Sequence, residues 1–228
     1  DNPWEDWANS AEGPNGELLS GWYLKNAHLP ARVPAEHSET AYITSRAIDF
    51  ISEADENPWC LHLSYIKPHW PYMTPAPYAG MYGPEDALPV VREESEKEDP
   101  HPVYGEFQKL KISQAMSREE VRNSVLPAYM GMIKQIDDEI GRLVAFLVEQ
   151  GRMDDTMIAF TSDHGDYLGD HWMGEKDLFH EPSVHIPFIL YDPSTDADKT
   201  RGMVSDELIE AIDLAPTILE AVGGYPQP

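Results

Sequence analysis

The sequence predicts an α/β fold, with a mostly parallel sheet flanked by helices, on three observations. Trp59–Ile66, Met157–Phe160 and Ile186–Tyr191 are short apolar runs bounded by polar residues, with the length and isolation of strands. Residues 38–57 and 127–150 repeat their apolar positions at helical spacing. The order strand, long excursion, helix, strand is that of a parallel crossover, which brings successive strand ends and their polar loops to one sheet edge. In open α/β sheets that edge is where ligands bind.

Taken in order, residues 1–36 are rich in Trp, Gly, Pro, Asn and Glu without strand or helix period, and are read as an extended loop region. Trp4, Trp7, Trp22 and Tyr23 read as packing anchors of that loop, with a substrate-facing role as the alternative. Ser38 is a fitting N-cap for a helix whose stripe is Ile43, Ala47, Phe50 and Ile51, closed by Asn57-Pro58. Within the strand Trp59–Ile66, Cys60 reads as a buried thiol and His62 as a core or sheet-face histidine. Residues 73–126 form a loop-rich insertion, and the charge run at 92–99 reads as a solvated, mobile loop. Pro127–Gln150 carries the apolar face Ile133, Ile136, Ile140, Leu143 and Leu147, with Asp137, Asp138 and Glu139 off it and Gly151 at the C′ position. Val204–Ile209 reads as a short strand. Asp213, Pro216 and Gly223-Gly224 frame a last helix.

Two polar constellations hang off strand ends. Asp163-His164-Gly165 follows Met157–Phe160, and Lys67-Pro68-His69-Trp70-Pro71-Tyr72 follows Trp59–Ile66. A carboxylate beside an imidazole suits a divalent metal, the oxygen being hard and the neutral ring nitrogen a good donor. A turn or cap is the alternative use of such a pair. Lys176, beyond the glycine loop, is a cation suited to an anion held at that metal. A histidine between prolines is by itself more often an ordinary loop residue than a functional one.

Taken whole, the stretch is more specific. Ser162-Asp163-His164-Gly165, Gly169-Asp170-His171, Gly174-Glu175-Lys176 and Glu181-Pro182-Ser183-Val184-His185-Ile186-Pro187-Phe188-Ile189 resemble the alkaline-phosphatase superfamily, in its sulfatase and phosphonate monoester hydrolase branch. There a strand ends in S-D-H/N-G, followed by a glycine loop, a lysine and E-x-S-x-R-I-P-x-I. His164, rather than Asn, looks like the phosphonate monoester hydrolases and choline sulfatases, while His185 stands where the pattern has Arg. Ser64 with Pro68-His69-Trp70-Pro71 resembles the branch's S-x-x-x-P-H-x-P, and Asp213–Leu219 its D-x-x-P-T-L/I-L segment.

The resemblance implies an alkaline-phosphatase-like sheet, incomplete in this chain, forming a single partial core domain over residues 1–228. It implies metal-dependent hydrolysis of sulfate esters or of phosphonate and phosphate mono- or diesters. Asp163 and His164 would be ligands to one divalent ion, Mn²⁺ or Ca²⁺ ahead of Mg²⁺ or Zn²⁺. His69 and Lys176 would be catalytic and substrate-binding, and Tyr72 would line the substrate, with a packing role as its alternative. The formylglycine segment C-x-P-x-R is absent, so the nucleophile is expected outside these residues and the chain alone is expected to be inactive and a poor metal binder. A non-enzymatic metal- or anion-binding relic of the fold is the alternative. Other catalytic signatures fail: His180-Glu181 with His185 lacks the spacing of H-E-x-x-H, and neither a G-x-S-x-G elbow nor a Walker loop is present.

Composition bounds the partners. Lys and Arg number 16 against 41 Asp and Glu, a formal charge of −25. Such a surface repels nucleic acid and anionic membrane, so a small anionic ester needs local positive charge from metal, Lys and His. Assembly of identical copies is left open. One cysteine excludes an internal disulfide, no apolar run approaches a membrane span, and the residues after Asp1 do not read as a signal peptide, a lost leader being left open because the sequence does not start with Met. A soluble protein is expected, with the cytoplasm ahead of the periplasm.

Overall fold

A computed structural model of the chain describes Leu24 and residues 26–224. The tryptophans at positions 4, 7 and 22, and Tyr23, lie outside the described residues. Two compact units are formed, one from residues up to Met153 together with His164–His185, the other from Asp154–Asp163 together with residues 186 onward.

In the first unit, α1 (Glu39–Ala54) starts where Ser38 Oγ accepts from the Ala41 amide at 3.3 Å. Its buried face is Thr40, Ala41, Thr44, Ala47 and Ile51, while Phe50, assigned to the stripe from sequence, is 42 % exposed. The small residues let α1 approach the long helix that carries Gln135 and Arg142, and polar bonds fix the approach. Gln135 Nε2 donates to Ser38 Oγ at 2.7 Å, and Arg142 Nη2 to the Ala41 carbonyl at 2.9 Å. The bulky Phe50 is left on the rim.

The run 59–66 is extended, with Trp59, Leu61, Leu63 and Tyr65 half-buried and the residues between them exposed. It forms no ladder among the described residues, so the crossover expected from it to the next run is not built there. A strand needs a neighbour for its N–H and C=O groups. Cys60 and His62 sit on the exposed side of this alternation, which corrects their reading as core groups.

The insertion contains two short helices, α2 (Pro102–Gln108) and α3 (Lys111–Met116), too short to show a period in sequence. The long helix α4 (Glu119–Glu149) begins before Pro127, which lies inside it. An internal proline costs a helix about 3 kcal/mol. The added turns bury Val121 and Val125 in line with Ala128 and Met132, and each buried valine returns roughly 1.5–3 kcal/mol, so burial wins. The predicted Ile136 and Leu147 are buried, but Ile133 faces out. At its end Gly151 has φ +66°, the Arg152 amide reaches Leu147 O at 2.8 Å and the Gly151 amide reaches Val148 O at 3.0 Å, a Schellman closure. Leu24, Tyr72, Met116, Val121, Val125 and Met132 form the main core. The short helix α5 (Glu181–Val184) ends this unit's chain.

In the second unit, β1 (Ile158–Thr161) and β2 (Phe188–Tyr191) pair antiparallel, Ile158 opposite Tyr191 and Thr161 opposite Phe188. These are two of the apolar runs seen in sequence. Helix α6 (Leu214–Ala221) follows Asp213, whose carboxylate accepts from the Glu210 amide at 2.8 Å instead of capping α6. Val204–Ile209 is no strand: Val204 is 90 % and Leu208 99 % exposed. Among the described residues no helix is long and apolar enough to cross a membrane.

Candidate active site

The segment after the extended run turns back on itself through Lys67–Pro68 and Trp70–Pro71, both cis. Lys67 Nζ donates to Pro71 O at 2.6 Å and to His69 O at 3.3 Å, tying the turn from within. Burial pushes the Lys67 amine down to about 8, with Glu39 opposing the shift. His69 Nδ1 lies 2.9 Å from the Trp70 carbonyl, so that nitrogen carries the proton and the ring's lone pair sits on Nε2. Lys176 Nζ donates to that Nε2 at 3.1 Å, joining residues 107 positions apart. The His164 ring lies 6.2 Å from the His69 ring, centroid to centroid, nearly edge-on.

His164 is oriented in the same manner. Its Nδ1 is 2.7 Å from the Gly165 carbonyl, which assigns the proton to Nδ1 and the lone pair to Nε2. A metal-binding imidazole has this arrangement, its second nitrogen fixed by a carbonyl. Gly165 makes the turn possible: a Cβ there would stand 2.0 Å from Pro182 O, and its amide donates to Ser183 O at 2.8 Å. This close approach is where α5, from the E-P-S part of the motif, packs on the Asp-His-Gly turn. His185, in the place of Arg, is exposed and pairs with Glu181 at 2.8 Å across one turn.

Asp163, two residues past β1, ends the first segment of the second unit, and His164 is the first residue back in the other. Ser162 Oγ lies 3.4 Å from Asp163 Oδ1. Among the described residues, no three His, Cys, Asp or Glu side chains are grouped to hold a metal. The donor types at Asp163 and His164 fit a divalent cation, whose remaining donors would come from elsewhere in the protein.

Tyr72 does not line the site. Its side chain is fully buried in the core, where its hydroxyl donates to Asp166 Oδ2 at 2.8 Å. The proline-rich segment turns inward at Tyr72, so this aromatic anchors the turn, and the reading as a substrate contact is corrected. Asp166 was missed in sequence although it directly follows the quoted Ser162–Gly165 motif. Burial raises its carboxyl to about 6, against the hydrogen bonds from Tyr72 and the Leu168 amide. Glu175 Oε2 lies 3.5 Å from Lys176 Nζ. Lys176 therefore bonds His69 and faces Glu175, with the buried Asp166 acting on it through its charge, so the ammonium is offset by acids and an anionic ligand in a protein of −25 needs the added charge of a metal.

Comparison with known proteins identifies the family. A family model described as Sulfatase matches residues 4–225. The multifunctional alkaline phosphatase superfamily protein PehA of Trinickia caryophylli is 36 % identical over 207 residues, covering 86 % of this chain and 40 % of the relative. An arylsulfatase of Clostridium perfringens is 33 % identical, covering 94 % of the chain and 45 % of the relative. The phosphonate monoester hydrolase of Agrobacterium radiobacter superposes with a TM-score of 0.78 at 26 % identity, over 97 % of this chain and 47 % of that one. SpPMH from Silicibacter pomeroyi gives 0.74 at 30 % identity, over 93 % and 42 %. The chain thus spans less than half the length of these relatives, and the α/β class with an incomplete sheet stands.

Proposed function

Because the chain belongs to the sulfatase family, we propose that the whole protein hydrolyses sulfate esters or phosphonate and phosphate esters, with His69 and Lys176 acting on the ester and Asp163 and His164 holding a cation. The observation that carries this reading is the meeting of Lys176, His69 and His164 within one unit, drawn from both strand-end motifs.

The roles follow from the atoms. Lys176 donates to His69 in the described state, and an arriving ester anion offers the ammonium stronger, charged acceptors. The ammonium then turns to the non-bridging oxygens, where negative charge accumulates as the bond breaks. His69, with Nδ1–H pinned to Trp70 O, has only Nε2 with which to exchange a proton. Once Lys176 has turned away, Nε2 takes up a proton from solvent and passes it to the leaving oxygen, which departs as an alcohol instead of an alkoxide while the ring returns to its neutral form. A divalent ion at Asp163 and His164, read as Mn²⁺ or Ca²⁺, would supply Lewis-acid stabilisation of developing charge. By likeness to the family the nucleophile is a formylglycine contributed from outside these residues.

The test is the whole protein assayed on paired substrates, 4-nitrophenyl sulfate and a 4-nitrophenyl phosphonate monoester, before and after chelation and with each metal restored. Turnover of at least one ester, abolished by chelation, supports the reading. Metal or sulfate binding with no turnover of either ester would instead identify a non-enzymatic relic of the fold.

A further inference from the structure

The loop that carries Lys176 is under strain and is closed at its base. Leu168, His171, Trp172, Glu175 and Asp177 all have φ between +47° and +89°, a region non-glycine residues enter at a cost of about 1–3 kcal/mol each. Such a backbone persists only where its surroundings over-determine it. Two groups of contacts do so here, and both involve His171.

The first is the segment 91–97, read from sequence as a mobile charged loop. Its residues are largely exposed, yet it is strapped to the loop. Val91 O accepts from the His171 amide at 2.8 Å, and the Val91 amide donates to Asp170 Oδ1 at 3.0 Å. Trp172 donates to Glu93 O at 2.8 Å and lies under the cations of Arg92 (4.3 Å) and Lys97 (3.7 Å). The second is a pair of stacked imidazoles. His171 and His180 lie 4.1 Å apart at 17°, one on each side of Lys176 in sequence. Glu96 Oε1 holds His171 Nδ1 at 3.1 Å, and the Tyr167 hydroxyl bonds His180 Nδ1 at 2.9 Å. The remaining faces are filled by Tyr104, 4.8 Å from the His180 ring, and by His101 and Gln108, around a cavity of about 250 Å³.

We propose that the His171–His180 stack, fixed by Glu96 and Tyr167, is a clasp that closes the loop and sets the position of Lys176. Both histidines are positioning residues: neither is described in contact with His69, His164 or Lys176. Burial, with the neighbouring His171, pushes His180 below the ordinary histidine range, which favours an uncharged ring in the stack. The role of Lys176 in turnover rests on the function proposed above; its placement by the clasp does not.

The experiment is a double-mutant cycle in the whole protein, with one readout independent of activity. His180→Ala is expected to lower kcat/KM at least about ten-fold, since misplacing a catalytic group by about 1 Å can cost about a hundred-fold. In a Lys176→Ala background the same change is expected to cost almost nothing, because the group it positions is gone. Tyr167→Phe, which keeps the fold's packing and removes one hydrogen bond, is expected to act in the same direction by about five-fold. The ¹⁵N shift of His69 Nε2 reports Lys176 directly, and in His180→Ala, or in Tyr167→Phe if that alanine variant does not fold, it is expected to move toward its value in Lys176→Ala. Equal losses in both backgrounds, or an unmoved His69 shift in a folded variant, would overturn the clasp. If Lys176→Ala leaves turnover intact, Lys176 drops out of the proposed mechanism, and the ¹⁵N shift alone decides the clasp.

Discussion

Lys176 Nζ donates to His69 Nε2 across 3.1 Å, the bond that joins the lysine beyond the glycine loop to the Lys67–Tyr72 turn. It defines what each residue does before substrate arrives, the ammonium satisfied by a neutral ring and the ring's one lone pair occupied. In the whole protein, Lys176→Ala is expected to lower kcat by about a hundred- to a thousand-fold, as removal of a single charge-stabilising donor does elsewhere. Thermal stability should change little, because the side chain is partly exposed. Turnover within a few-fold of the unmodified protein would remove Lys176 from the mechanism.

Tyr72→Phe separates a core role from a substrate role. The change leaves Asp166 Oδ2 buried without the phenol, and an unsatisfied buried acceptor costs about 1–3 kcal/mol. Chemical denaturation should show a loss of that size while KM for either ester stays within two-fold or so. A large rise in KM with unchanged stability would restore Tyr72 to the substrate surface.

How much of this was readable from the chain depended on whether a feature is local. Helix α1 with its Ser38 cap and the Gly151 closure of α4 are written in neighbouring residues, and both appear as the spacing predicts. His69, His164 and Lys176 were found through motifs, and the fold brings them together. The failures concern partners distant in sequence. Pro127 reads as a first-turn residue until the burial of Val121 and Val125 is known. Tyr72 beside a site motif reads equally as lining or as anchor, and only Asp166 decides. The run 59–66 has a strand's alternation but, among the described residues, no neighbour with which to pair. A charged segment such as 91–97 looks solvated until Trp172 is seen between its cations.

Gly165→Ala tests the packing behind His164. The added methyl would fall 2.0 Å from Pro182 O, a backbone atom that cannot swing aside like a side chain. Overpacking of this kind costs about 1–3 kcal/mol or more, and relief requires the turn or α5 to move. Melting temperature is therefore expected to fall, and metal affinity with it, since the carbonyl that orients His164 belongs to this same residue. A variant with unchanged melting and metal affinity would show that the two backbones do not approach as described.

Lys67 gives a pH dependence whose sign is fixed by its burial. The amine ties the Lys67–Pro71 turn through two carbonyls, and in the fold its pKa is lowered from 10.5 to about 8. Below about pH 8 it is charged in both the folded and unfolded chain, so the folded state carries the full cost of burying the charge. Between about 8 and 10.5 the unfolded chain holds more protons than the folded one, so this group's contribution to stability rises with pH. Above that window both forms are neutral and the contribution is flat. The rise amounts to about 3 kcal/mol across the window. Lys67→Met, which keeps the length and loses the titration, isolates it: loss of the two donors gives an offset, while the slope belongs to the amine. Unfolding free energies of both proteins measured across the window should show the unmodified protein gaining on the variant as pH rises. A difference that stays level or shrinks would mean that the Lys67 ammonium is well solvated and that something else ties the turn beneath His69.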